Sequence, residues 1–471
     1  MKRIDANRVF VPRQGPMRVD ATIYASEAIN LEESAVAQLC DAASLPGVER
    51  VLATPDIHHG YGVPIGSVVA MKDAVIPAAV GYDINCGMRI ISTPLKRKEV
   101  DAEALAISIS RDIPLGEGKT NLRLSAKDLR VVLAKGVRGL GEVDLGGGRI
   151  EAARRVEDEA DDIGRIEDFG SLAGEPDHLT PRAIERGQNQ LGTLGGGNHF
   201  IEIQVVERVD RQDAAEFFGL FQDQIVIMIY SGSRGLGHQV ADDYMRVAAK
   251  KTGGQCPNRH LCFLPADDAD GAAYVGAMRA AANFAYVNRQ IMAMLARHNF
   301  RRMYGDAPMP LVYDVTHNMA KLESHGGQWL WIHRKGATRA FPGALMQGTR
   351  FSRMGQPVLI PGSMGTASYV LVAGERAAES LYSVNHGAGR VMSRTAATGH
   401  GRHGQRRGAG ISEQRFRETM KGIALICADR SSVKEEAPDA YKDIDSVVDV
   451  VVGAGLGEVV ARMRPLAVLK G

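Results

Sequence analysis

The 471-residue chain is predicted to fold as a single large, interwoven α/β domain, with a central β-sheet core surrounded by helices. Strand-like and helix-like segments alternate along its length without a low-complexity linker, which is typical of one α/β unit. The clearest case is the apolar segment 225–230, which a glycine-rich loop separates from a helical pattern over residues 239–250. The predicted domain therefore covers residues 1–471.

The first 67 residues predict a short strand region, a helix and a long turn-rich loop. Asn30 is in position to cap the helix, with Glu32 in its first turn. Residues 51–67 are dense in glycine and proline and are predicted to form the loop, which contains Asp56, His58 and His59. The two histidines are candidates for metal ligands, for partners of a catalytic base, or for plain surface residues.

The middle and C-terminal thirds predict further elements. Residues 150–190 are predicted to form a solvated, acidic helical excursion, since seven acidic residues face only Arg165 between positions 157 and 168. Residues 272–298 are alanine-rich and free of proline, which predicts a helix that faces the core. Residues 311–315 predict a strand, and residues 357–371 predict two strands joined by a glycine–serine turn.

The composition limits the classes of function that the protein can have. The net charge of +2 argues neither for nor against nucleic acid, but residues 386–421 form a basic segment with eight Lys and Arg against two Glu. Such a segment suits either a phosphate backbone or a solvated helix face. Five unpatterned cysteines exclude a disulfide scaffold. The absence of a signal-peptide pattern and of a long apolar run predicts a cytoplasmic protein without a membrane segment.

The stretch on which the functional argument depends is residues 81–87, with the sequence G-Y-D-I-N-C-G. Glycines at both ends let the backbone turn tightly, which brings the carboxylate of Asp83 near the thiol of Cys86. A thiolate beside a carboxylate is costly unless a cation lies between them. The stretch therefore fits a divalent metal site, although a lone cysteine after a strand is commonly a small buried apolar residue.

Histidines in similar settings strengthen the metal interpretation. His199, His317 and His386 each lie at or near a predicted strand end beside Asn or Gly, and His238 follows a glycine-rich loop. Together with Asp83 and Cys86 they supply nitrogen, oxygen and sulfur donors for one or two divalent ions. The alternative for each histidine is a hydrogen-bonded structural role.

His386 has the most open surroundings of these histidines. Gly387, Ala388 and Gly389 leave room for a bulky group, and Arg390 has the geometry to pair with phosphate. A neutral imidazole in such a setting is a candidate covalent nucleophile toward phosphorus. A further metal ligand is the other interpretation.

The motifs GYDINCG, GTLGGGNHFIEI, SGSRGLGH, DVTHN, PGSMGTASYVL, NHGAGRVMSR and the terminal RPLAVLKG resemble those of the RtcB family of RNA ligases, in the same order from about Pro55 to Gly471. The family joins an RNA 3′-phosphate or 2′,3′-cyclic phosphate to a 5′-hydroxyl, using GTP and Mn²⁺, in tRNA splicing and RNA repair. The resemblance implies an RtcB-like fold, RNA and GTP as partners, and an archease-type protein as a candidate activator. It leaves both a monomer and a dimer open.

Carried over residue by residue, the resemblance implies that Asp83, Cys86, His199 and His317 bind one or two manganese ions, with Cys86 bridging. It implies that His386 is the nucleophile that takes GMP through a phosphoramidate. It places Arg234 and Arg390 at phosphate and Asp56 near the chemistry. The implied RNA backbone contacts are Arg390, Arg394, Arg402, Arg406 and Arg407. The implied contacts to GTP or GMP are Asn198, Phe200, Ile201, Glu202, Asn318, Pro361, Gly362, Ser363, Met364, Ser368, Gly387, Ala388, Gly389, Tyr441 (stacking on guanine) and Lys470.

One position departs from the family pattern. Where the family has a metal-ligating histidine in His-Ser-Gly-Ser-Arg, this chain has Tyr230. A neutral phenol, with a pKa near 10, is a poor replacement for imidazole. Tyr230 ligates as a phenolate, another group fills the position, or one metal binds weakly.

Three functional hypotheses follow. The first is GTP-dependent RNA ligation. The second is a diverged paralogue that guanylylates RNA ends or hydrolyses a cyclic phosphate without sealing, which the tyrosine favours. The third is a catalytically silent RNA-binding protein, which the intact settings of His386 and Lys470 disfavour.

Overall fold

Two large β-sheets form the core in the computed structural model, which describes residues 1–399, 408–428 and 433–471. The strands are β1 (Lys2–Asp5), β2 (Arg8–Val11), β3 (Ala21–Tyr24), β4 (Val48–His58), β5 (Ile65–Met71), β6 (Ala74–Val75), β7 (Gly87–Lys96), β8 (Phe200–Val209), β9 (Gln224–Ser231), β10 (Leu264–Pro265), β11 (Leu311–Thr316), β12 (Asn318–His325), β13 (Gln328–Lys335), β14 (Ala337–Arg339), β15 (Val358–Ile360), β16 (Ser368–Ala373), β17 (Ser383–Asn385), β18 (Ala424–Cys427) and β19 (Gly457–Lys470).

The first sheet has the strand order β1-β2-β3-β4-β5-β13-β12, and the second has the order β11-β7-β9-β8-β19-β16-β15. Strand β18 adds to the second sheet by pairing in parallel with β19. Two small pairs, β10 with β6 and β14 with β17, complete the pairing among the described strands. This mixed architecture confirms the predicted α/β class.

Helices surround both sheets. They are α1 (Glu33–Ala42), α2 (Pro77–Val80), α3 (Ala102–Asp112), α4 (Ala126–Lys135), α5 (Arg149–Ala153), α6 (Val156–Ile163), α7 (Pro181–Gly187), α8 (Gln212–Phe218), α9 (Arg234–Thr252), α10 (Ala269–Tyr304), α11 (Arg394–Thr398), α12 (Glu413–Thr419) and α13 (Ile444–Gly453). The helix predicted over 272–298 is α10, which is buried along most of its length. The Asp268 side chain caps it by accepting a hydrogen bond from the Gly271 N–H.

The register of the second sheet brings several strand ends to one edge. Strand β7 begins at Gly87, which lies opposite Ser231 at the end of β9 and opposite Thr316 at the end of β11. Strand β8 begins at Phe200, opposite Lys470 at the end of β19. The loops that lead into or out of these strands therefore meet at this edge, and they contain most of the residues singled out in the sequence.

Several predicted elements are confirmed and four differ in detail from the structure. The segments 225–230 and 311–315 are β9 and β11, and 357–371 contains the antiparallel pair β15 and β16. Asn30 does not cap α1: Glu32 occupies the N-cap position, and its carboxylate accepts instead from the His59 N–H at 3.2 Å. The loop predicted over 51–67 is mostly strand, because β4 continues as far as His58, which pairs with Ile65.

The third difference is the glycine-rich loop predicted before residue 239. Helix α9 begins at Arg234, and the first helical bond runs from the Gly237 N–H to the Ser233 carbonyl. Leu236 is fully buried, so packing against the core holds this segment as helix despite Gly235 and Gly237. His238 therefore lies one turn along the helix from Arg234 rather than in a loop.

The acidic segment is less solvated than predicted. Asp162 is buried and forms an ion pair of 2.6 Å with Arg297 of α10. Glu167 is also buried and accepts a hydrogen bond from the Thr316 N–H at 3.0 Å. These two acids therefore connect the acidic segment to α10 and to the end of β11, which lies at the sheet edge where the site residues meet.

Within the described ranges, no helix has both the length and the apolar character that spanning a bilayer requires. Of the basic segment, Arg402, Arg406 and Arg407 lie outside the described residues.

Candidate active site

A cluster of three potential metal ligands lies at the edge where the strands of the second sheet meet. The His199 Nε2 atom lies 2.9 Å from a carboxylate oxygen of Asp83 and 3.4 Å from the Cys86 sulfur. All three donor atoms lie within 4.8 Å of one another, and among the described residues this is the one such cluster of His, Cys, Asp and Glu. The structure thus brings together residues separated by more than 110 positions in the chain.

The loop that carries Asp83 and Cys86 is fixed from several sides. Arg289 of α10, fully buried, donates hydrogen bonds to the backbone carbonyls of Asn85 and Ser231. The Asn318 side chain donates to the Asp83 carbonyl at 3.0 Å and accepts from the Gly336 N–H. A Cβ on Gly232 would lie 2.2 Å from the Asp83 carboxylate, which explains glycine at that position. Asn318 therefore positions the loop.

The electrostatics of the cluster fit a cation. Burial and the nearby Asp83 carboxylate raise the pKa of the Cys86 thiol well above its ordinary value. Burial alone would also raise the pKa of Asp83, but the hydrogen bond and charge of His199 lower it to about 2. The His199 proton in that bond is one that a divalent cation would replace, and the cation would also favour the thiolate.

His317 adds a fourth donor nearby. Its Nδ1 atom lies 2.8 Å from the Thr338 hydroxyl, while its buried Nε2 atom has no hydrogen-bond partner among the described residues. Burial lowers the pKa of His317 well below its ordinary value, so the ring is neutral and can offer a lone pair. An orphaned buried nitrogen of this kind fits a metal ligand.

Tyr230 lies between the histidines and is held as a neutral phenol. Its ring centroid is 5.5 Å from that of His199 and 5.6 Å from that of His317. The Asn198 amide donates to its hydroxyl at 2.9 Å, and burial raises its pKa well above 10. The residues present therefore fit a cation at Asp83, Cys86 and His199, with His317 beside it, better than they fit a phenolate ligand.

His386 lies on the other side of His317, with ring centroids 5.5 Å apart. Its Nδ1 atom lies 2.6 Å from a carboxylate oxygen of Asp56, which is fully buried. The other Asp56 oxygen accepts from the Thr54 hydroxyl at 2.6 Å. Gly389 permits this approach, because a Cβ there would lie 2.2 Å from the Asp56 carbonyl.

The contacts around Asp56 favour its ionised form. Burial alone would raise the pKa of Asp56, but the hydrogen bond and charge of His386 and the Thr54 hydroxyl lower it. An ionised carboxylate only accepts hydrogen bonds, so it fixes the proton of a neutral His386 ring on Nδ1. The Nε2 atom then carries the lone pair.

His386 lines a cavity between the edge of the second sheet and the segment 386–394. The sequence-predicted nucleotide residues that line it are Asn198, Phe200, Pro361, Gly362, Ser363, Met364, Gly387, Ala388, Gly389, Tyr441 and Lys470. The wall is completed by Tyr230, Arg390, Arg394, Glu436, His58 and Ile65. His58 is buried, so the surface-residue interpretation is wrong for it, whereas His59 is exposed.

Two predicted nucleotide residues lie just behind this wall. Glu202 is two residues from Phe200 on the same face of β8, and one of its buried carboxylate oxygens has no partner. The Gln204 amide bridges Glu202 and Ser368, and the Ser368 hydroxyl accepts from the Gly362 N–H at 3.3 Å. Ile201 points to the opposite face of β8 and packs in the other part of the core.

Charged residues close the far end of the cavity. Lys470 is buried and donates to the His199 carbonyl at 3.0 Å, and burial lowers its pKa to about 8. The Arg390 guanidinium lies 5.0 Å from the centre of the Tyr441 ring and 3.1 Å from the Glu436 carboxylate. Arg390 is thus already paired, whereas Arg394 is about half exposed and lies 3.5 Å from Glu436.

Residues that the sequence argument did not single out support each of these groups. Thr54 is hydrogen-bonded to Asp56, and Thr338 to His317. Arg289 donates to the backbone of the loop that contains Asp83 and Cys86, and Glu436 accepts from the Tyr441 hydroxyl. Of these, only Arg289 had a signal: a charged residue in the middle of a helix predicted to face the core is usually a buried ion-pair partner.

Comparison with known proteins establishes the family of the chain. Residues 38–471 match the family model described as RtcB, tRNA-splicing ligase RtcB. The chain is 42% identical to the tRNA-splicing ligase RtcB of Thermococcus kodakarensis, with 100% of this chain and 99% of that protein covered. It is 39% identical to the protein of that name from Aeropyrum pernix, with the same coverage. It is 40% identical to the RNA-splicing ligase RtcB of Mycobacterium bovis, covering 92% of this chain and all of that protein. The chain belongs to the RtcB family.

Proposed function

We propose that the protein is an RNA ligase that joins an RNA 3′-phosphate, or a 2′,3′-cyclic phosphate, to a 5′-hydroxyl and consumes GTP. The observation that supports this best is His386: its Nδ1 is fixed by Asp56, and its ring lies between the metal-ligand cluster and a cavity of the predicted nucleotide residues. The names of the relatives support RNA as the substrate.

In this proposal His386 is the covalent nucleophile. Its Nε2 lone pair attacks the α-phosphorus of GTP, an N–P bond forms, and the bond to the leaving pyrophosphate breaks. An oxygen of the RNA 3′-phosphate then takes the guanylyl group, which breaks the N–P bond and returns the lone pair to Nε2. The RNA 5′-hydroxyl finally attacks the activated 3′-phosphorus, which breaks the bond between that phosphorus and the guanylate oxygen. The hydroxyl proton leaves with the released GMP. Asp56 keeps Nδ1 protonated and stabilises positive charge on the ring throughout.

Asp83, Cys86, His199 and His317 would hold one or two Mn²⁺ ions. A bound cation at these ligands would neutralise charge on the phosphates and help to orient them. Lys470 would add a further positive charge. The small residues 387–389 would leave space for the guanylate, and the Ser363 hydroxyl would contact it. Tyr441 would stack on guanine, and Arg234, Arg390 and Arg394 would contact phosphates.

The proposal is tested by incubating the protein with α-labelled GTP and Mn²⁺, and then with an RNA bearing a 3′-phosphate and an RNA bearing a 5′-hydroxyl. An acid-labile labelled protein, followed by a sealed RNA of the summed length, supports ligation. A protein that acquires no label and seals no RNA contradicts the proposal. A cytoplasmic location and an archease-type activator are further predictions, the second tested by adding such a protein to the same assay.

Glu202 gives the proposal a pH-dependent consequence. Burial raises its pKa to about 8, so at neutral pH the free protein holds a protonated carboxyl there. A carboxylate accepts from the N–H donors of guanine, so binding would require loss of that proton. The affinity for guanosine, which has no titrating phosphate, is therefore expected to rise up to tenfold per pH unit between about pH 6 and 8.

Calorimetry on the metal-free protein would measure this affinity. The Glu202→Gln variant is expected to bind guanosine with no pH dependence over the same range, and adenosine is the matched control ligand. An equal pH slope in both proteins would contradict a role for Glu202 in reading guanine.

A second candidate function is guanylylation of RNA ends without sealing, and Tyr230 is the observation that favours it. The neutral phenol hydrogen-bonded to Asn198 stands where the family pattern has an imidazole. We expect the wild type to bind one Mn²⁺ ion tightly, and Tyr230→His to bind a second, because imidazole is the better ligand. Equilibrium dialysis counts the ions, with Tyr230→Phe as the control that removes only the hydroxyl. A wild type that already binds two tight ions would contradict this.

A further inference from the structure

The metal-ligand cluster faces a second cavity, on the side away from His386. Asp83 and His199 line it together with Arg234 and His238 of α9. Residues 234, 238, 242 and 246 follow each other at intervals of four and therefore lie along one face of α9. The helix rises about 18 Å from Arg234 to Arg246, so this face extends that far from the metal-ligand cluster.

Aromatic rings run along the same direction. Tyr82 stacks on His238 at 4.6 Å between centroids, with their planes 21° apart. Tyr61 lies 5.4 Å from Tyr82 and 4.6 Å from His260. Tyr61 is 37% exposed, and His238 is also exposed, so the row is open to solvent. We name these four rings the aromatic row.

Four arginines and three acidic residues lie along the row, and the excess of positive charge is at its outer end. The cavity at its inner end contains Arg186 and Arg234, against Asp83 and Glu117. The cavity at its outer end, lined by Tyr61 and His260, contains Arg246 and Arg259, against Asp242. Asp242 pairs with Arg246 at 2.5 Å, so one outer arginine is partly neutralised.

The backbone under the row is rigid. The buried Lys335 ammonium donates to the carbonyls of Tyr61, Val63 and Ala78. The Tyr61 hydroxyl lies 2.8 Å from the His260 ring. These contacts hold the side chains in place without a ligand, which lowers the entropy that binding must remove.

We propose that the aromatic row binds single-stranded RNA, whose bases stack on its rings while the flanking arginines contact the phosphates. Two exposed and two half-buried rings with arginines beside them suit an unpaired strand, because every base has a face that can stack on an open ring face and every phosphate carries a charge. The row ends at Asp83, so a strand bound on it has its terminus at the metal-ligand cluster. This inference rests on the proposed function, which places the RNA ends at that cluster.

Fluorescence anisotropy with a labelled single-stranded RNA ten-mer carrying a 3′-phosphate tests the row without GTP or metal. Each lost stacking contact is expected to weaken binding about five- to a hundredfold. Tyr61→Leu and His238→Ala should both show this loss, whereas Tyr61→Phe keeps the ring and should bind as the wild type does. Trp329→Leu is the matched control, since Trp329 is 64% exposed and is absent from both cavities. Melting temperatures report whether each variant is folded.

A second readout separates phosphate contacts from stacking. Arg246→Gln with Arg259→Gln should flatten the plot of log affinity against log salt by about 0.7 per lost contact. Unchanged RNA affinity in folded Tyr61→Leu and His238→Ala would contradict RNA binding by the aromatic row, even if the wild type forms a guanylate adduct. If the wild type forms no adduct but the two variants bind RNA more weakly than it does, the proposed ligation is contradicted and RNA binding by the aromatic row is supported.

Discussion

His386→Ala is expected to abolish the guanylate adduct, with labelled protein falling by roughly 10³-fold or more. The ring that Asp56 orients at 2.6 Å is the nucleophile in the proposed reaction, and no hydroxyl or thiol in the cavity could replace its Nε2 lone pair with the same geometry. The measurement is retention of ³²P on the protein after incubation with α-labelled GTP and Mn²⁺, followed by denaturing gel electrophoresis at alkaline pH, because the N–P bond is acid-labile. Sealing of RNA should be lost together with the adduct.

His298→Ala is the matched control for this experiment. His298 lies on α10, is partly exposed, and is absent from the cavity around His386. Asp56→Asn is expected to keep the ring but to lose the carboxylate that fixes its proton, which should slow adduct formation by roughly 10²- to 10⁴-fold. Adduct formation at the wild-type rate in His386→Ala would remove His386 from the chemistry.

The fold and the main site residues follow from short-range patterns in the sequence. The apolar run that forms β9 is a local feature, and so are the glycines that flank Asp83 and Cys86. The strand expected before Cys86 is instead helix α2, and the two residues reach the sheet edge because they lead into β7. The convergence of Cys86 and His199 also follows from the family resemblance. What the sequence does not contain is the pairing of strands over long separations, which decides that Gly87, Ser231 and Thr316 are neighbours.

The errors have the same origin. Residues 231–238 contain three glycines, which locally favour a loop, yet the burial of Leu236 holds residues 234–238 as the start of α9. The acids of the excursion look solvated in sequence, because their partner Arg297 is more than 130 residues away. Tertiary packing overrides local propensity at both positions. The supporting residues Thr54 and Thr338 leave no signal at all, since a single hydroxyl acquires its role only from the atom opposite it.

Arg289→Leu is expected to reduce both stability and metal affinity. Arg289 is fully buried, forms a two-pronged ion pair with Asp314, and donates to the Asn85 and Ser231 carbonyls that flank the metal-ligand cluster. Removing one partner of such a buried pair costs about 3–5 kcal/mol of unfolding free energy. Because the loop of Asp83 and Cys86 also loses its anchor, Mn²⁺ affinity of the folded variant should fall by about 10- to 100-fold, as expected for loss of a supporting residue behind the ligands.

Arg297→Leu separates these two effects. Arg297 lies on the same helix, is equally buried, and forms an ion pair with Asp162, but its hydrogen bonds reach Asp162 and Met309 rather than the metal loop. Its substitution should therefore lower the denaturant midpoint by a similar amount while the Mn²⁺ dissociation constant, measured by calorimetry well below the midpoint, stays near that of the wild type. Arg289→Lys should recover part of the stability, since the charge returns without the fork of donors. Equal loss of metal affinity in both leucine variants would mean that Arg289 acts through global stability alone.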